Sequence, residues 1–182
     1  MEWLDIVDET GNITGQTIER EIAHRKGVRH RTSHVWVLRN SNGKTQVLLQ
    51  KRSENKDSFP GCYDISSAGH IPAGDGFLES ALRELKEELG IDAVPEELIY
   101  CGQRQFEFRE RFHGKDFWDN QVSNIYALWR DTEASSLTIQ KAEIENVLWM
   151  DLVQCIEMVK NNTAPNCIWL EELEMISSMI TS

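Results

Sequence analysis

The stretch "SALRELKEELGID", Ser80–Asp92, combines a helical apolar pattern with a concentration of acidic side chains. Leucines recur at intervals of three or four residues, at Leu78, Leu82, Leu85 and Leu89. This spacing predicts an amphipathic helix that buries a leucine stripe. Gly90 follows the last leucine, at the place where a glycine commonly ends a helix. The segment is therefore predicted to be a helix that packs one face against a core.

Three glutamates lie on this helix away from the leucine stripe: Glu84, Glu87 and Glu88. Because positions three and four residues apart are neighbours on a helix, their carboxylates can converge, although like charges at that spacing repel. Mg²⁺ and Mn²⁺ prefer oxygen ligands, and either cation would remove the repulsion and bind phosphate oxygens as well. The alternative is a solvated acidic face, in which Arg83 and Lys86 offer salt bridges.

The composition favours one globular domain over the whole chain. The chain has 182 residues, of which 40% are hydrophobic and 27% are charged, and no linker or repeat divides it. Lys and Arg number 19 against 30 Asp and Glu, which gives a formal net charge of −11. So acidic a surface repels phosphate backbones and excludes a nucleic-acid polymer as a general partner. A small phosphorylated substrate stays possible if a metal and local cations offset the repulsion.

The termini and cysteines predict a cytoplasmic protein. The N-terminus is acidic and has no basic start followed by an apolar run, so it does not resemble a signal peptide. No stretch approaches the roughly 20 apolar residues of a membrane span. The cysteines show no C-x-x-C spacing and are predicted to be thiols rather than disulfides or zinc ligands. They are Cys62, Cys101, Cys155 and Cys167.

The strand patterns surround the central helix on both sides. An N-terminal β-hairpin is predicted over residues 3–8 and 13–19. Two further strands, joined by Asn42-Gly43, are predicted over residues 34–39 and 45–52. Further strands are predicted at three places, residues 62–69, 98–108 and 121–130, with a loop over residues 109–120. The amphipathic residues 151–161 and 167–180 complete the pattern as helices. Together these elements predict an α/β or α+β sandwich around a mixed sheet, ending in a C-terminal helix.

The spacing from Gly69 to Ile91 resembles the Nudix box, a loop-helix signature of the Nudix hydrolase superfamily. Five residues separate Gly69 from Asp75 and seven separate Asp75 from Arg83, after which the chain reads Arg-Glu-apolar-x-Glu-Glu-x-Gly-apolar. One position departs from the family pattern, because Asp75 stands where the family usually has glutamate. The resemblance implies one Nudix domain over residues 1–182, folded as an α/β/α sandwich, with its box at residues 69–91.

The resemblance also implies a chemistry, because Nudix enzymes cleave nucleoside diphosphates linked to another moiety and related pyrophosphates. The three glutamates of the helix match the metal ligands of the family, for Mg²⁺ or Mn²⁺, and are the expected catalytic residues together with Arg83. A backbone carbonyl before the box, here that of Ala68, often joins the metal ligands. Arg83 would orient the glutamates by pairing with Asp75, while Gly69 and Gly90 support the loop and helix. A metal-bound water would attack phosphorus.

The general base stays open between a box glutamate and an acid on a later loop. The later acids near the predicted loop are Glu107, Glu110, Asp116 and Asp119, and two more, Glu143 and Glu145, follow downstream. Each of these, taken alone, is equally well explained as a solvated acidic side chain.

Outside the box, over roughly residues 3–155, the chain resembles the branch of the superfamily that contains isopentenyl-diphosphate isomerase. Two of the metal-binding histidines of the isomerase match His24 and His70, and His30 matches a third after a one-residue gap. Its catalytic cysteine falls at Ala68, which can supply no proton, and its acidic pair falls near Asp119 and Gln121, where one acid has become an amide. We therefore predict a hydrolase on an isomerase-like scaffold.

Several residues are predicted to contact the substrate. The isomerase resemblance implies phosphate-binding cations at Arg52 and Lys56, and a guanidinium can grip a phosphate with two hydrogen bonds. His70, in the box loop, is predicted to line the site, and Trp118 is a candidate for stacking on a base. The other histidines of the basic segment, His24, His30 and His34, are either a second metal site or hydrogen-bonded surface residues.

The sequence therefore predicts a Mg²⁺- or Mn²⁺-dependent hydrolase of a nucleoside diphosphate derivative or other small diphosphate. Two alternatives stay open, an isomerase-type enzyme and a non-catalytic sensor that binds a phosphorylated metabolite. No membrane or nucleic-acid partner is expected. The protein is predicted to be a monomer or a homodimer, since C-terminal apolar residues can either cap the core or form a dimer contact. These are Ile168, Trp169, Met175, Ile176 and Met179.

Overall fold

A computed structural model describes residues 1–182 and contains nine β-strands and four α-helices. The strands are β1 (Trp3–Val7), β2 (Ile13–Glu19), β3 (His30–Ser41), β4 (Lys44–Arg52), β5 (Tyr63–Asp64), β6 (Ser67–His70), β7 (Ile99–Phe112), β8 (Lys115–Trp129) and β9 (Ile144–Asp151). The helices are α1 (Arg20–Lys26), α2 (Phe77–Leu89), α3 (Leu152–Asn161) and α4 (Leu170–Thr181). No helix is long and apolar enough to cross a membrane.

Seven strands form one mixed sheet, and β1 and β2 form a separate N-terminal hairpin. The main order is β5-β4-β3-β8-β7, with β6 paired to β3 and β9 paired to β4. β3 and β8 run parallel, and every other pair is antiparallel. The predicted mixed sheet with an opening hairpin and a closing helix is confirmed.

Helices cover both faces of this sheet because side chains alternate along its strands. On one face, Val35 and Val37 of β3 pack in a buried cluster with Leu85 and Leu89 of α2. On the other face, Trp36 belongs to a second cluster that contains residues of α3 and α4. The result is the predicted α/β/α sandwich.

The predicted loop at residues 109–120 is wrong, because β7 and β8 run through it and meet at the turn His113-Gly114. Both turn residues have positive φ, 50° and 77°, as a two-residue hairpin turn requires. Charged residues conceal the strand pattern: Glu107, Arg109 and Arg111 are exposed, while Phe106 and Phe108 on the other side of β7 are half-buried. This is a period of two, with one face of the hairpin in solvent.

Other boundaries follow or amend the predictions. The Asn42-Gly43 hairpin is confirmed, with φ of 51° and 73°. The strand predicted at residues 62–69 is two short strands, β5 and β6, separated by Ile65 and Ser66. Helix α1 and strand β9 were not predicted, since α1 is only seven residues long and the apolar positions of β9 do not alternate.

Helix α2 ends where the sequence predicts and packs its leucine side against the core. It buries Ala81, Leu85 and Leu89, and Gly90 ends it in the left-handed conformation at φ 68°. The N–H of Gly90 donates to the carbonyls of Leu85 and Lys86, which satisfies the last turn. The helix thereby presents its acidic side to strand β6 and the loop before it.

Candidate active site

The three box glutamates line one cavity of about 290 Å³ at the end of α2. Glu88 is buried, Glu84 is half-buried and Glu87 is exposed, so the cluster extends from the interior to the mouth. The backbone N–H of Ala68 donates to Glu88 Oε2 at 3.3 Å, which ties the deepest carboxylate to β6. The three glutamates thus share one cavity, as predicted, although their carboxylate oxygens do not all lie within 4.8 Å of one another.

Glycine at position 69 permits the close approach of β6 to α2. A Cβ on Gly69 would lie 2.2 Å from Cδ of Glu84, well inside any tolerated contact. The strand therefore passes directly over the carboxylates, and Ala68, Gly69 and His70 all line the cavity. This is a steric reason for the first glycine of the box.

Arg83 joins the box loop to the acidic cluster. Its guanidinium donates to Glu84 Oε1 at 2.9 Å, to Asp75 Oδ2 at 3.2 Å and to the carbonyl of His70 at 3.3 Å. The shorter Asp75 side chain therefore still reaches Arg83. The pairing holds one glutamate and the loop in fixed relation, as expected of a positioning residue.

Besides Arg83, three cations line the same cavity as the glutamates: Arg20, Arg52 and Lys56. Arg52 donates to Asp64 Oδ2 at 2.9 Å and to the carbonyl of Ser58, and Lys56 forms an ion pair with Glu143. Arg20 was not predicted, because it lies at the N-terminus of the short helix α1 and enters the cavity only through the fold. Cations and carboxylates thus surround one polar space.

Burial makes the glutamates costly to ionise without a cation. It raises the pKa of Glu88 to about 8, and neighbouring Glu84 adds to the effect. Burial also raises the pKa of Glu84, although hydrogen bonding from Arg83 opposes it. Such carboxylates favour a bound cation, which replaces the lost water. The residues present fit a divalent metal.

Of the later acids considered as general base, only Glu143 lines this cavity, together with the box glutamates. It lies directly before β9, in a loop held by the N–H of Gln140, which donates to the carbonyl of Glu88 at 3.0 Å. Burial raises the pKa of Glu143, but the ion pair with Lys56 outweighs burial and leaves it below its ordinary value. The remaining candidates lie outside the cavity: Glu107, Glu110, Asp116, Asp119 and Glu145.

A second polar cluster, the histidine centre, consists of His24, His30, His70 and Asp119. The three imidazoles each place a nitrogen within 4.8 Å of the others. Asp119 Oδ1 lies 3.6 Å from His24 Nε2 and 3.5 Å from His30 Nε2. The structure thus groups His70, rather than His34, with His24 and His30.

Two atoms of the histidine centre are buried without a hydrogen-bond partner, His30 Nε2 and Asp119 Oδ1. His30 Nδ1 lies 2.9 Å from the carbonyl of Val28, which can accept only from a protonated nitrogen, so a neutral ring directs its Nε2 lone pair inward. Burial lowers the pKa of His30 and of His70, which favours neutral rings. Three imidazoles and one carboxylate are a donor set that fits Zn²⁺, Mn²⁺ or a similar cation.

Trp118 does not line the cavity of the glutamates. Its ring packs over Gly27, where a Cβ would lie 2.1 Å from the indole, and Arg109 covers it at 3.4 Å from the ring centroid. Its Nε1 donates to Glu107 at 2.9 Å. These contacts account for the side chain without a ligand.

Comparison with known proteins identifies the family. The NUDIX domain model matches residues 28–169. An uncharacterized Nudix hydrolase of Clostridium acetobutylicum is 39% identical over 161 residues, which cover 88% of this chain and 75% of that protein.

Solved structures share the fold. The Deinococcus radiodurans protein DR0079 superposes with a TM-score of 0.70 at 20% identity, covering 95% of this chain and 98% of its own. The NUDIX domain of Shewanella oneidensis NrtR, solved in complex with ADP ribose, gives a TM-score of 0.61 at 18% identity, over 82% of this chain and 87% of that one. Sequence and fold agree, and the chain belongs to the Nudix hydrolases, a family that acts on phosphoric anhydrides.

Proposed function

We propose that residues 1–182 form a single Nudix domain that hydrolyses the pyrophosphate linkage of a nucleoside diphosphate derivative or another small diphosphate, with Mg²⁺ or Mn²⁺. The observation that carries the proposal is that the three box glutamates and several cationic side chains line one cavity. Carboxylates alone would repel a diphosphate, and cations alone would bind it without activating water. Their combination around a metal serves both needs.

The glutamates and Ala68 have the metal-binding role in this proposal. Glu84, Glu87 and Glu88 would hold the cation, with the carbonyl of Ala68 beside them. When bound, the cation neutralises phosphate charge and makes water easier to deprotonate. Arg83 keeps Glu84 in place through its 2.9 Å contact, with Asp75, Gly69 and Gly90 shaping the loop and helix.

The cations of the cavity would bind the substrate, and Glu143 would accept a proton. Arg52 and Lys56 would bind phosphate oxygens, and Arg20, at the same cavity, adds a third positive charge. His70 lines the wall beside them. Glu143, ionised beside Lys56, is the later acid placed to accept a proton from water, and a box glutamate is the alternative.

The group attached to the diphosphate of the substrate is proposed as a chemical class. A nucleotide-derived diphosphate is included because the NrtR domain, which shares the fold, was solved with ADP ribose. The cytoplasmic location, like the choice between monomer and homodimer, stays a prediction.

A substrate panel with and without Mg²⁺ tests the proposal. The panel contains nucleoside triphosphates, nucleotide sugars, dinucleotides and prenyl diphosphates, with phosphorylated products measured. Glu87→Gln and Glu88→Gln should each reduce turnover roughly 10²-fold or more, because each removes a charge that holds the metal. Glu79→Gln is the matched control, since Glu79 is an exposed acid of the same helix outside the cavity. Wild-type turnover in the first two variants would refute the assignment.

The histidine centre favours a second candidate, an isomerase-type enzyme, because it assembles histidines that match the isomerase ligands. Ala68 and Gln121 oppose this candidate, since neither can act as the acid that alkene isomerisation needs. Incubation with isopentenyl diphosphate decides the matter through the presence or absence of dimethylallyl diphosphate. Tight binding across the panel without turnover would instead indicate a sensor.

A further inference from the structure

Glu172 of the C-terminal helix is a buried acid outside the cavity of the glutamates. The residue is only 1% exposed and accepts three hydrogen bonds. His34 Nδ1 lies at 2.8 Å, while Trp36 Nε1 and the guanidinium of Arg104 each donate at 3.1 Å. Three partners from β3 and β7 thus converge on one carboxylate of α4.

Stability alone does not explain this group. Replacing a buried ion cluster by well-packed apolar side chains is often neutral or stabilising, because desolvation of the charges offsets their attraction. The neighbouring core of this face is apolar, with Trp36, Leu173 and Ile176 fully buried. An apolar residue at position 172 alone would leave the donors of His34, Trp36 and Arg104 unpaired, so the acid and its partners form one polar group that the surrounding apolar core does not require.

A chain of hydrogen bonds leads from Glu172 to the histidine centre. His34 Nε2 lies 3.3 Å from Thr32 Oγ1, which donates to Gln121 Oε1 at 3.0 Å. Ser123 Oγ lies 2.6 Å from Thr32 Oγ1 and donates to the same amide oxygen at 3.3 Å, so it belongs to this link of the chain. The amide nitrogen of Gln121 donates to Asp119 Oδ2. When His34 is an imidazolium, its Nδ1–H donates to Glu172 and its Nε2–H donates to Thr32. Every hydrogen bond from His34 to Asp119 then runs from donor to acceptor in the same direction.

The chain ends by fixing how Asp119 is presented. Its Oδ2 is held by Gln121, which leaves Oδ1 facing His24 and His30 at 3.6 and 3.5 Å. Oδ1 and His30 Nε2 are the two atoms of this centre that are buried without a hydrogen-bond partner. The hydrogen bond from the Gln121 amide therefore fixes the orientation of the Asp119 carboxylate toward the histidines.

We propose that Glu172 is a positioning residue for the histidine centre. It acts through His34, Thr32 and Gln121 to hold Asp119 in the geometry that binds a divalent cation, so the C-terminal helix sets the cation affinity of the centre. Mutation of a residue that positions the ligands of a metal commonly lowers the affinity of the site for that metal 10- to 100-fold. The proposal does not depend on the hydrolytic activity.

Titration with Co²⁺, followed by visible absorption, tests the proposal on the whole chain. The absorption that is present in the wild type and lost in His30→Asn is assigned to Co²⁺ at the histidine centre. This difference distinguishes it from Co²⁺ bound by the oxygen ligands of the glutamates. Glu172→Gln should weaken Co²⁺ binding at this centre roughly 10-fold or more. Glu171→Gln is the matched control, because Glu171 also contacts Arg104, at 2.6 Å, but its side chain is 67% exposed and outside the chain of bonds. It should bind Co²⁺ as the wild type does.

A second variant breaks the chain without touching α4. Thr32→Val keeps the shape of a buried residue but removes the hydroxyl between His34 and Gln121, and it should weaken Co²⁺ binding in the same way, including where Glu172→Gln fails to fold. The side-chain amide resonances of Gln121 should shift in Thr32→Val and stay in place in Glu171→Gln. Wild-type affinity in Thr32→Val, equal loss in Glu171→Gln, or no Co²⁺ binding by the wild-type centre would each overturn the proposal.

Discussion

Glu88 combines two properties that oppose each other in a folded protein, a carboxyl group and nearly complete burial. The residue is 7% exposed, and its pKa rises from the ordinary value of 4.5 to about 8 because burial removes water from the carboxylate. A shift of this size is typical of functional sites, where groups are arranged for a ligand rather than for stability.

The raised pKa of Glu88 makes the stability of the metal-free protein depend on pH. Between pH 4.5 and about 8 the unfolded chain has released this proton and the native protein keeps it. The contribution of Glu88 is therefore fully present below pH 4.5 and is lost as the pH rises through about 8. We expect the free energy of unfolding, measured by urea denaturation in EDTA, to fall relative to Glu88→Gln across this range. Parallel curves for the two proteins would contradict the assigned pKa.

Helix α2, taken as one element, packs against the core with one side and carries the acidic residues of the candidate site on the other. Its leucine side is buried against β3, and its glutamate side faces β6 and the cavity. The apolar side fixes the rotation of the helix about its axis, because a rotation would expose leucines to water. The position of the carboxylates is thus a consequence of core packing.

Truncation of one leucine tests this division. Leu85 is fully buried, so Leu85→Ala should lower the free energy of unfolding by about 2–5 kcal/mol, through lost burial and a cavity. Leu82→Ala is the matched control on the same helix, since Leu82 is only partly buried and should cost less. Urea denaturation at constant pH measures both. Equal losses would show that the helix is not oriented by Leu85.

At the scale of the whole molecule, the cavity gathers residues from most of the chain. Glu2 and Arg20 come from the N-terminal hairpin and α1, Arg52 from β4, and Glu143 from the loop before β9, in addition to the box. A ligand of this cavity binds the folded chain and has no equivalent site in the unfolded chain. Binding and global stability are therefore linked.

Mg²⁺ should accordingly stabilise the protein against heat. At a concentration 100 times its dissociation constant, a cation that binds only the native state adds about 2.7 kcal/mol to the free energy of unfolding. The midpoint of thermal unfolding should rise with added Mg²⁺ and return on addition of EDTA. Glu87→Gln should show a smaller rise, and the exposed Glu79→Gln the full one. An unchanged midpoint in the wild type at saturating Mg²⁺ would exclude a metal site in the cavity.

The local parts of this protein follow from the sequence by itself. The leucine period and Gly90 predicted helix α2 and its end, Asn-Gly predicted the β3–β4 turn, and the spacing from Gly69 to Ile91 predicted the acidic cluster. Each of these depends on residues within about one helix or hairpin. Charged residues on the exposed side of β7 concealed its period of two, so the β7–β8 hairpin was mistaken for a loop.

Only the tertiary structure decided which distant side chains share a site. Arg20 reaches the cavity, as Glu143 alone of the later acids does, through the packing of separate elements, whereas the grouping of His70 with His24 and His30 was already implied by the isomerase resemblance. The contact between His34 and Glu172 joins residues 138 positions apart, from the first long strand to the last helix. Periodicity encodes which face of an element is buried, whereas such contacts depend on strand register and helix docking, which are set by the whole core.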